Sequence, residues 1–253
     1  MSAFLNVCRH RGTRVEDAPC GRDRKAFVCP YHAWSYARDG RLLGIPHDDG
    51  FAGIDRSARG LVRVPAGEAG GLVWIRPTRA PSEEDARLDA RGWLGVLADD
   101  LDGFGLATSH VYAPVTFTKA MNWKLAIEVF LEAYHLRSAH KDTIYGMFFD
   151  NLGLVDRLGP HLRNVFPKRS IEQLATRLEA GLGTSLRGHA NVLFHLFPNT
   201  LVLVQPDHSA VIHAWPDGPT RTRFTRVHSR AGPAQREGAR LPGPQQRRPL
   251  RRD

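Results

Sequence analysis

Two cysteine–histidine pairs constrain this chain more than anything else in it. Cys8-Arg9-His10 is followed, after eighteen residues, by Cys29-Pro30-Tyr31-His32, the pattern C-x-H-x18-C-x2-H. Each pair places a thiolate and an imidazole on one tight loop, so a fold that uses them must bring two loops together tip to tip. Two chemistries accept such a set. A [2Fe–2S] cluster takes two Cys on one iron and two His on the other, and a tetrahedral Zn site takes the same four ligands. Spacing leaves both open. Cys20, the third cysteine, has no partner at ligand spacing and reads as a loop thiol. So few cysteines argue for metal or redox chemistry over a disulfide framework.

Around these pairs the chain reads as short strands: Ala26 to Cys29, then Trp34 to Ala37 and Arg41 to Ile45 across Asp39-Gly40, a hairpin-turn dipeptide. Leu61 to Pro65 and Gly71 to Arg76 follow, which makes a small antiparallel β domain. Pro77 to Asp89, rich in Pro, Arg and acids, reads as the start of a linker. A chain of 253 residues with 42% hydrophobic content can bury a real core.

The second constraint is Asn122 to His140, NWKLAIEVFLEAYHLRSAH, which offers Glu132, His135 and His140. Two imidazoles and a carboxylate on one face of an octahedron leave the other face open, the arrangement of non-haem Fe(II) oxygenases. At roughly 100° per residue, the two histidines lie about 140° apart on a straight helix. They cannot share a metal without a local break, so a widened turn or π-bulge is expected between His135 and His140. An amphipathic core helix is the plain alternative, since Trp123, Leu125, Ile127, Phe130, Leu131 and Tyr134 supply apolar surface.

CRHRG followed by CPYHAWSY, with Gly40 beyond, resembles the Rieske motif of ring-hydroxylating oxygenase large subunits. N-W-K followed by E-x-F-L-E-x-Y-H-x4-H resembles the iron-site signature of the same family, in the same order. The resemblance implies a Rieske [2Fe–2S] cluster with Cys8 and Cys29 on one iron and His10 and His32 on the other. It further implies a mononuclear Fe(II) held by His135 and His140. Glu132 matches the acidic residue that carries electrons between the iron site and a neighbouring subunit's cluster. The chain departs from the family at Ala33, where Gly is usual, and at Val129, where many members have Asn.

The implied fold class is α+β: a Rieske-type antiparallel β domain followed by a helix-grip catalytic domain, with helices on a curved antiparallel sheet. The corresponding division is 1–78 for the cluster domain with its opening strands missing, 79–113 for a linker, 114–228 for a partial catalytic domain and 229–253 for a disordered tail. Asp150 to Ile171 reads as a polar pocket lid and Ile171 to Glu179 as a short helix, while NVLFHLF, TLVLVQP and SAVIHAW read as sheet strands. His195, His208 and His213 read as structural.

The family's third iron ligand is an Asp far past the second His, whereas this chain ends 113 residues after His140. Asp142, Asp150, Asp156, Asp207 and Asp217 stand outside the expected context, so that ligand is assigned to no residue and an inactive, truncated version is an expectation. The implied partners are a reductase with or without a ferredoxin, O₂, a small organic substrate and further copies in a homotrimer. A Rieske-type electron carrier and a non-enzymatic small-molecule binder are the alternatives. Residues 229–253 hold seven Arg against Glu237 and Asp253, +5 of the formal +9. That concentration of charge in a Pro/Gly-rich tail argues against a nucleic-acid-binding surface on the folded part. With no run of eighteen apolar residues and no signal-peptide pattern, a cytoplasmic protein without a membrane span is expected.

Overall fold

A computed structural model describes residues 1–179 and 186–230. The chain divides into two compact units, Met1–Asp100 and Leu101–Asp253.

The first unit is β-rich. It holds β1 (Ala3–Phe4), β2 (Ala26–Val28), β3 (Ser35–Ala37), β4 (Leu42–Gly44), β5 (Arg63–Val64), β6 (Ala66–Ala69) and β7 (Leu72–Ile75). Strands β2, β3 and β4 form a three-stranded sheet, β1 pairs with β5, and β6 with β7, all antiparallel. Asp39-Gly40 turns the chain between β3 and β4. Gly40 has φ +89°, and a side chain there would collide with the Phe4 ring, so the position excludes other residues twice over. Cys8, Val15, Cys29, Trp34, Tyr36 and Ile45 form the core. The segment 79–113, expected to be linker, is not structureless: α1 (Ala90–Leu94) and α2 (Val96–Gly103) lie within it. Asp89 caps α1 by accepting from Gly92 N–H, and Leu94, Leu97, Ala98 and Leu101 are buried.

The second unit is a seven-stranded antiparallel sheet with helices on it. Its further elements are β8 (His110–Lys119), α3 (Trp123–Glu128), α4 (Leu136–Ala139), β9 (Leu154–Leu158), β10 (His161–Pro167), α5 (Glu172–Glu179), β11 (Ala190–Leu196), β12 (Thr200–Val204), β13 (Ser209–Pro216) and β14 (Thr222–Arg230). The strand order is β8-β14-β13-β12-β11-β10-β9, so β8 and β9 are the edges. Ala126 and Ile127 of α3 pack on Leu193, Leu201, Ile212, Ala214 and Phe224. Burial of each large apolar side chain contributes about 1.5–3 kcal/mol. Phe194, Val202 and Val204 alternate with these and are buried as well, with Phe104 edge-on to Phe194 at 5.9 Å. Burial of both faces is why these strands read as continuous apolar runs.

Three expectations require correction. Asp150 to Ile171 is no lid: β9 and β10 form a hairpin that extends the sheet, with Gly159 at φ +64° in its two-residue turn and Asp156 opposite and ion-paired to Arg163 at 2.7 Å. No continuous helix spans 122–140, and no π-bulge separates the histidines; α3 stops at Glu128 and a single-turn α4 starts after His135. Ser229 and Arg230, expected in the tail, complete β14; the remainder of that stretch lies outside the described residues. Among the described residues, no helix is long and apolar enough to cross a membrane.

Asn122 ties α3 down twice. Its Oδ1 accepts from Lys124 N–H at 2.9 Å as an N-cap, and its Nδ2 donates to the Pro219 carbonyl at 2.8 Å. Asn122→Ala is expected to cost about 1–2 kcal/mol, read as a lower urea midpoint at unchanged m-value.

Candidate metal centres

The two loops of the first unit are built alike. Cys8 N–H donates to the Thr13 carbonyl at 2.8 Å and the Cys8 carbonyl accepts from Gly12 N–H at 3.0 Å. Cys29 N–H donates to the Trp34 carbonyl at 2.9 Å and the Cys29 carbonyl accepts from Ala33 N–H at 3.0 Å. Each closure needs a left-handed residue four positions after the cysteine: Gly12 at φ +77° in one loop, Ala33 at φ +54° in the other. The departure noted at Ala33 is therefore a strained alanine in a glycine conformation.

These loops put Cys8 and Cys29 in one core cluster and His10 and His32 in ring contact, although among the described residues no three of these four are gathered closely enough to hold a metal ion. Both thiols are buried and free of disulfides. The imidazoles of His10 and His32 meet with ring centroids 4.5 Å apart, and the His10 ring stacks on Trp34 at 5.0 Å. His10 Nδ1 is shielded and has no hydrogen-bond partner among the described residues. Burial first, then His32 and Arg11, hold the His10 imidazole below its usual pKa, which favours the neutral ligating form. Two buried sulfurs and an imidazole nitrogen without a partner among the described residues are the donor types that a [2Fe–2S] cluster takes.

Tyr36, fully buried, was not singled out by the sequence. Its oxygen accepts from Arg9 N–H at 3.0 Å and lies 3.2 Å from Cys8 Sγ. Burial and then the Cys8 contact push its pKa well up, so it keeps the proton it can donate to sulfur. Cys20 is an exposed free thiol.

In the second unit, one carboxylate orients His135. Glu132 accepts from both His135 Nδ1 and His135 backbone N–H. Burial alone would raise the Glu132 pKa, but these hydrogen bonds outweigh it and hold the carboxyl below its usual range. With Nδ1 engaged, the His135 Nε2 edge is left for a metal. His140 leaves the helix at φ −122°, ψ 23°, which turns its ring back toward His135; the centroids lie 5.3 Å apart.

Both rings line a cavity of about 230 Å³ with Glu132, Phe130, Phe148, Phe166 and Asn191. Asn191 is a further residue the sequence did not mark; its only signal is a lone amide at the start of NVLFHLF. Two imidazoles with free Nε2 edges fit part of a mononuclear site. Among the described residues, no set of three His, Cys, Asp or Glu is gathered for a metal ion. Four of the downstream carboxylates are instead ion-paired: Asp150 with Arg137, Asp156 with Arg163, Asp207 with His208 and Arg230, and Asp217 with Arg221. Asp142 is exposed.

Comparison with known families agrees with this division. Residues 1–57 match the Rieske [2Fe-2S] domain and residues 105–248 the ring hydroxylating alpha subunit (catalytic domain). The chain belongs to the family of Rieske ring-hydroxylating oxygenase large subunits. Among curated relatives it is 37% identical to the glycine betaine monooxygenase oxygenase subunit of Chromohalobacter salexigens over 56% of this chain and 30% of that protein. It is 30% identical to the large oxygenase component of the 2,4-dinitrotoluene dioxygenase system of Burkholderia sp. over 75% and 41%. The match to each thus spans less than half of the relative's length. Among solved structures, the quaternary ammonium Rieske monooxygenase CntA superposes with a TM-score of 0.74 at 20% identity, over 90% of this chain and 58% of that one. Naphthalene 1,2-dioxygenase from Rhodococcus sp. gives 0.69 at 22%, over 89% and 59%. These likenesses show the fold: a β-rich Rieske-like domain followed by a mixed α/β catalytic domain.

Ala33→Gly relieves the left-handed strain and is expected to stabilise the first unit by about 1 kcal/mol, measured as a higher denaturant midpoint.

Proposed function

We propose that this chain acts as the oxygenase component of a Rieske system that uses O₂ and electrons from NAD(P)H to hydroxylate an aromatic or demethylate a small organic substrate. The observation that carries the reading is the presence in one chain of two matched Cys/His loops and of a histidine pair, one member oriented by a carboxylate, at the wall of an apolar cavity. In this reading Cys8, Cys29, His10 and His32 hold the [2Fe–2S] cluster, and His135 and His140 hold Fe(II). When bound, the cluster supplies single electrons and the mononuclear iron supplies O₂ activation.

The chain's own groups set the conditions for that chemistry. Glu132 fixes the His135 tautomer by accepting the hydrogen bond from Nδ1–H, and as the family's bridging carboxylate it joins His135 to a cluster histidine of a neighbouring copy. Phe130, Phe148 and Phe166 exclude water from one side of the cavity and give an apolar substrate its contacts. The helices and sheet act as a helix grip around this cavity. A reductase, with or without a ferredoxin, is the electron donor, and a homotrimer is the assembly that brings a cluster to each Glu132.

Metal analysis with EPR after dithionite reduction of anaerobically purified protein tests this. About three irons per chain with a low-average-g Rieske signal is the expected result. About two irons with that signal would favour an electron carrier, and zinc or no metal would overturn the cluster assignment. In the cluster-loaded protein, Tyr36→Phe removes a hydrogen bond to Cys8 Sγ and is expected to lower the reduction potential in a spectroelectrochemical titration, because that bond stabilises the more negative, reduced cluster.

A further inference from the structure

A polar seam crosses the sheet face beneath α3 and α4. In the β10–β11 register Leu162 lies opposite His195, Asn164 opposite Leu193 and Phe166 opposite Asn191. Asn191, Asn164 and His195 are therefore diagonal neighbours on one face. Asn191 lines the cavity at His135 and His140. His195 lines a second, more open groove of about 570 Å³, together with Trp123 and Phe197. Asn164 lies between the two and is 1% exposed.

None of the described residues bonds Asn164 Oδ1 or Nδ2, Asn191 Oδ1 or His195 Nδ1, and all four atoms are shielded. His195 Nε2 lies 3.1 Å from the Pro198 carbonyl, which can only accept, so Nε2 carries the proton and Nδ1 is a bare acceptor. Buried amides without partners are a net cost to a fold, and leucine would fill the same space without it. Diagonal neighbours stand about 7–8 Å apart at Cα, less at the side-chain ends, a gap that a water with hydrogen bonds of about 2.8–3.0 Å on each side can bridge. Polar, enclosed positions of this kind are where buried water belongs.

We propose that Asn191, Asn164 and His195 bind a short file of water molecules that joins the histidine cavity to the open groove and carries solvent protons inward. The proton role rests on the oxygenase reading. Oxygenation, whether one atom of O₂ enters the substrate and the other leaves as water or both enter it, takes up two electrons from the reductase and two protons from solvent. Each amide both donates and accepts, so a file through Asn164 and Asn191 keeps its hydrogen bonds continuous from His195 Nδ1.

A high-resolution crystal structure of the full chain and of Asn164→Leu tests the file. Ordered waters within hydrogen-bonding distance of Asn164, continuous to Asn191 and His195 and interrupted in the variant, are expected, with no gain in melting temperature. A dry Asn164 in the unaltered protein, or a variant that melts about 2 °C or more higher, overturns the file. In iron-loaded protein, the solvent deuterium isotope effect on product formation should be at least twofold larger in Asn164→Leu. Equal effects overturn the proton role alone. An unaltered protein that binds iron but never turns over overturns the oxygenase reading and the proton role with it, while the crystallographic result stands independently.

Discussion

The Glu132 carboxylate is the interaction on which the second unit depends. By accepting the His135 backbone N–H, beyond the end of α3 at Glu128, it fixes the chain just ahead of α4. By accepting His135 Nδ1 it settles which ring nitrogen faces the cavity. Chain direction and ligand orientation thus come from the same side chain. The single turn of α4 and the departure of His140 from helical geometry come directly after this contact. The sheet supplies the other wall, because Phe166, Asn191 and Leu203 of adjacent strands face the same space.

The first unit achieves its convergence by repetition. Two loops with the same backbone closures present ligand pairs at slightly different spacings, and the difference between C-x-H and C-x2-H leaves the frame untouched. Packing does the rest: both cysteine sulfurs sit in the core with Trp34 and Tyr36, so the donor atoms are held by the same contacts that hold the domain.

How much of this was legible depends on what each feature requires. The Cys/His pairs and the histidine pair were visible because few side chains can bind iron, and the strands β11 to β13 because burial on both faces demands unbroken apolar runs. The helix break was foreseen in kind and misplaced in position: geometry says that a straight helix fails, and the break falls between Glu128 and Leu136 instead of between His135 and His140. The β9–β10 hairpin was missed because β9, LVDRL, is an exposed edge strand and shows no clean alternation. Helices α1 and α2 were hidden by Gly92 and Gly95 and by the Pro- and acid-rich stretch ahead of them. Asn164 and Asn191 have no signature, since their places arise from neighbours far away in the chain, whereas Tyr36 stands inside CPYHAWSY and only its contact with Cys8 was hidden.

The two outer strands of the seven-stranded sheet determine how it can be joined to anything else. β8 carries Pro114, which has no N–H to offer, and its pairing with β14 slips at Arg226/His228; β9 carries Asp156 and Arg157 in its middle. Such features blunt open-ended strand addition. Growth of the ladder by a further chain is therefore disfavoured at both ends, so contacts with another chain would run through side chains instead of added backbone hydrogen bonds.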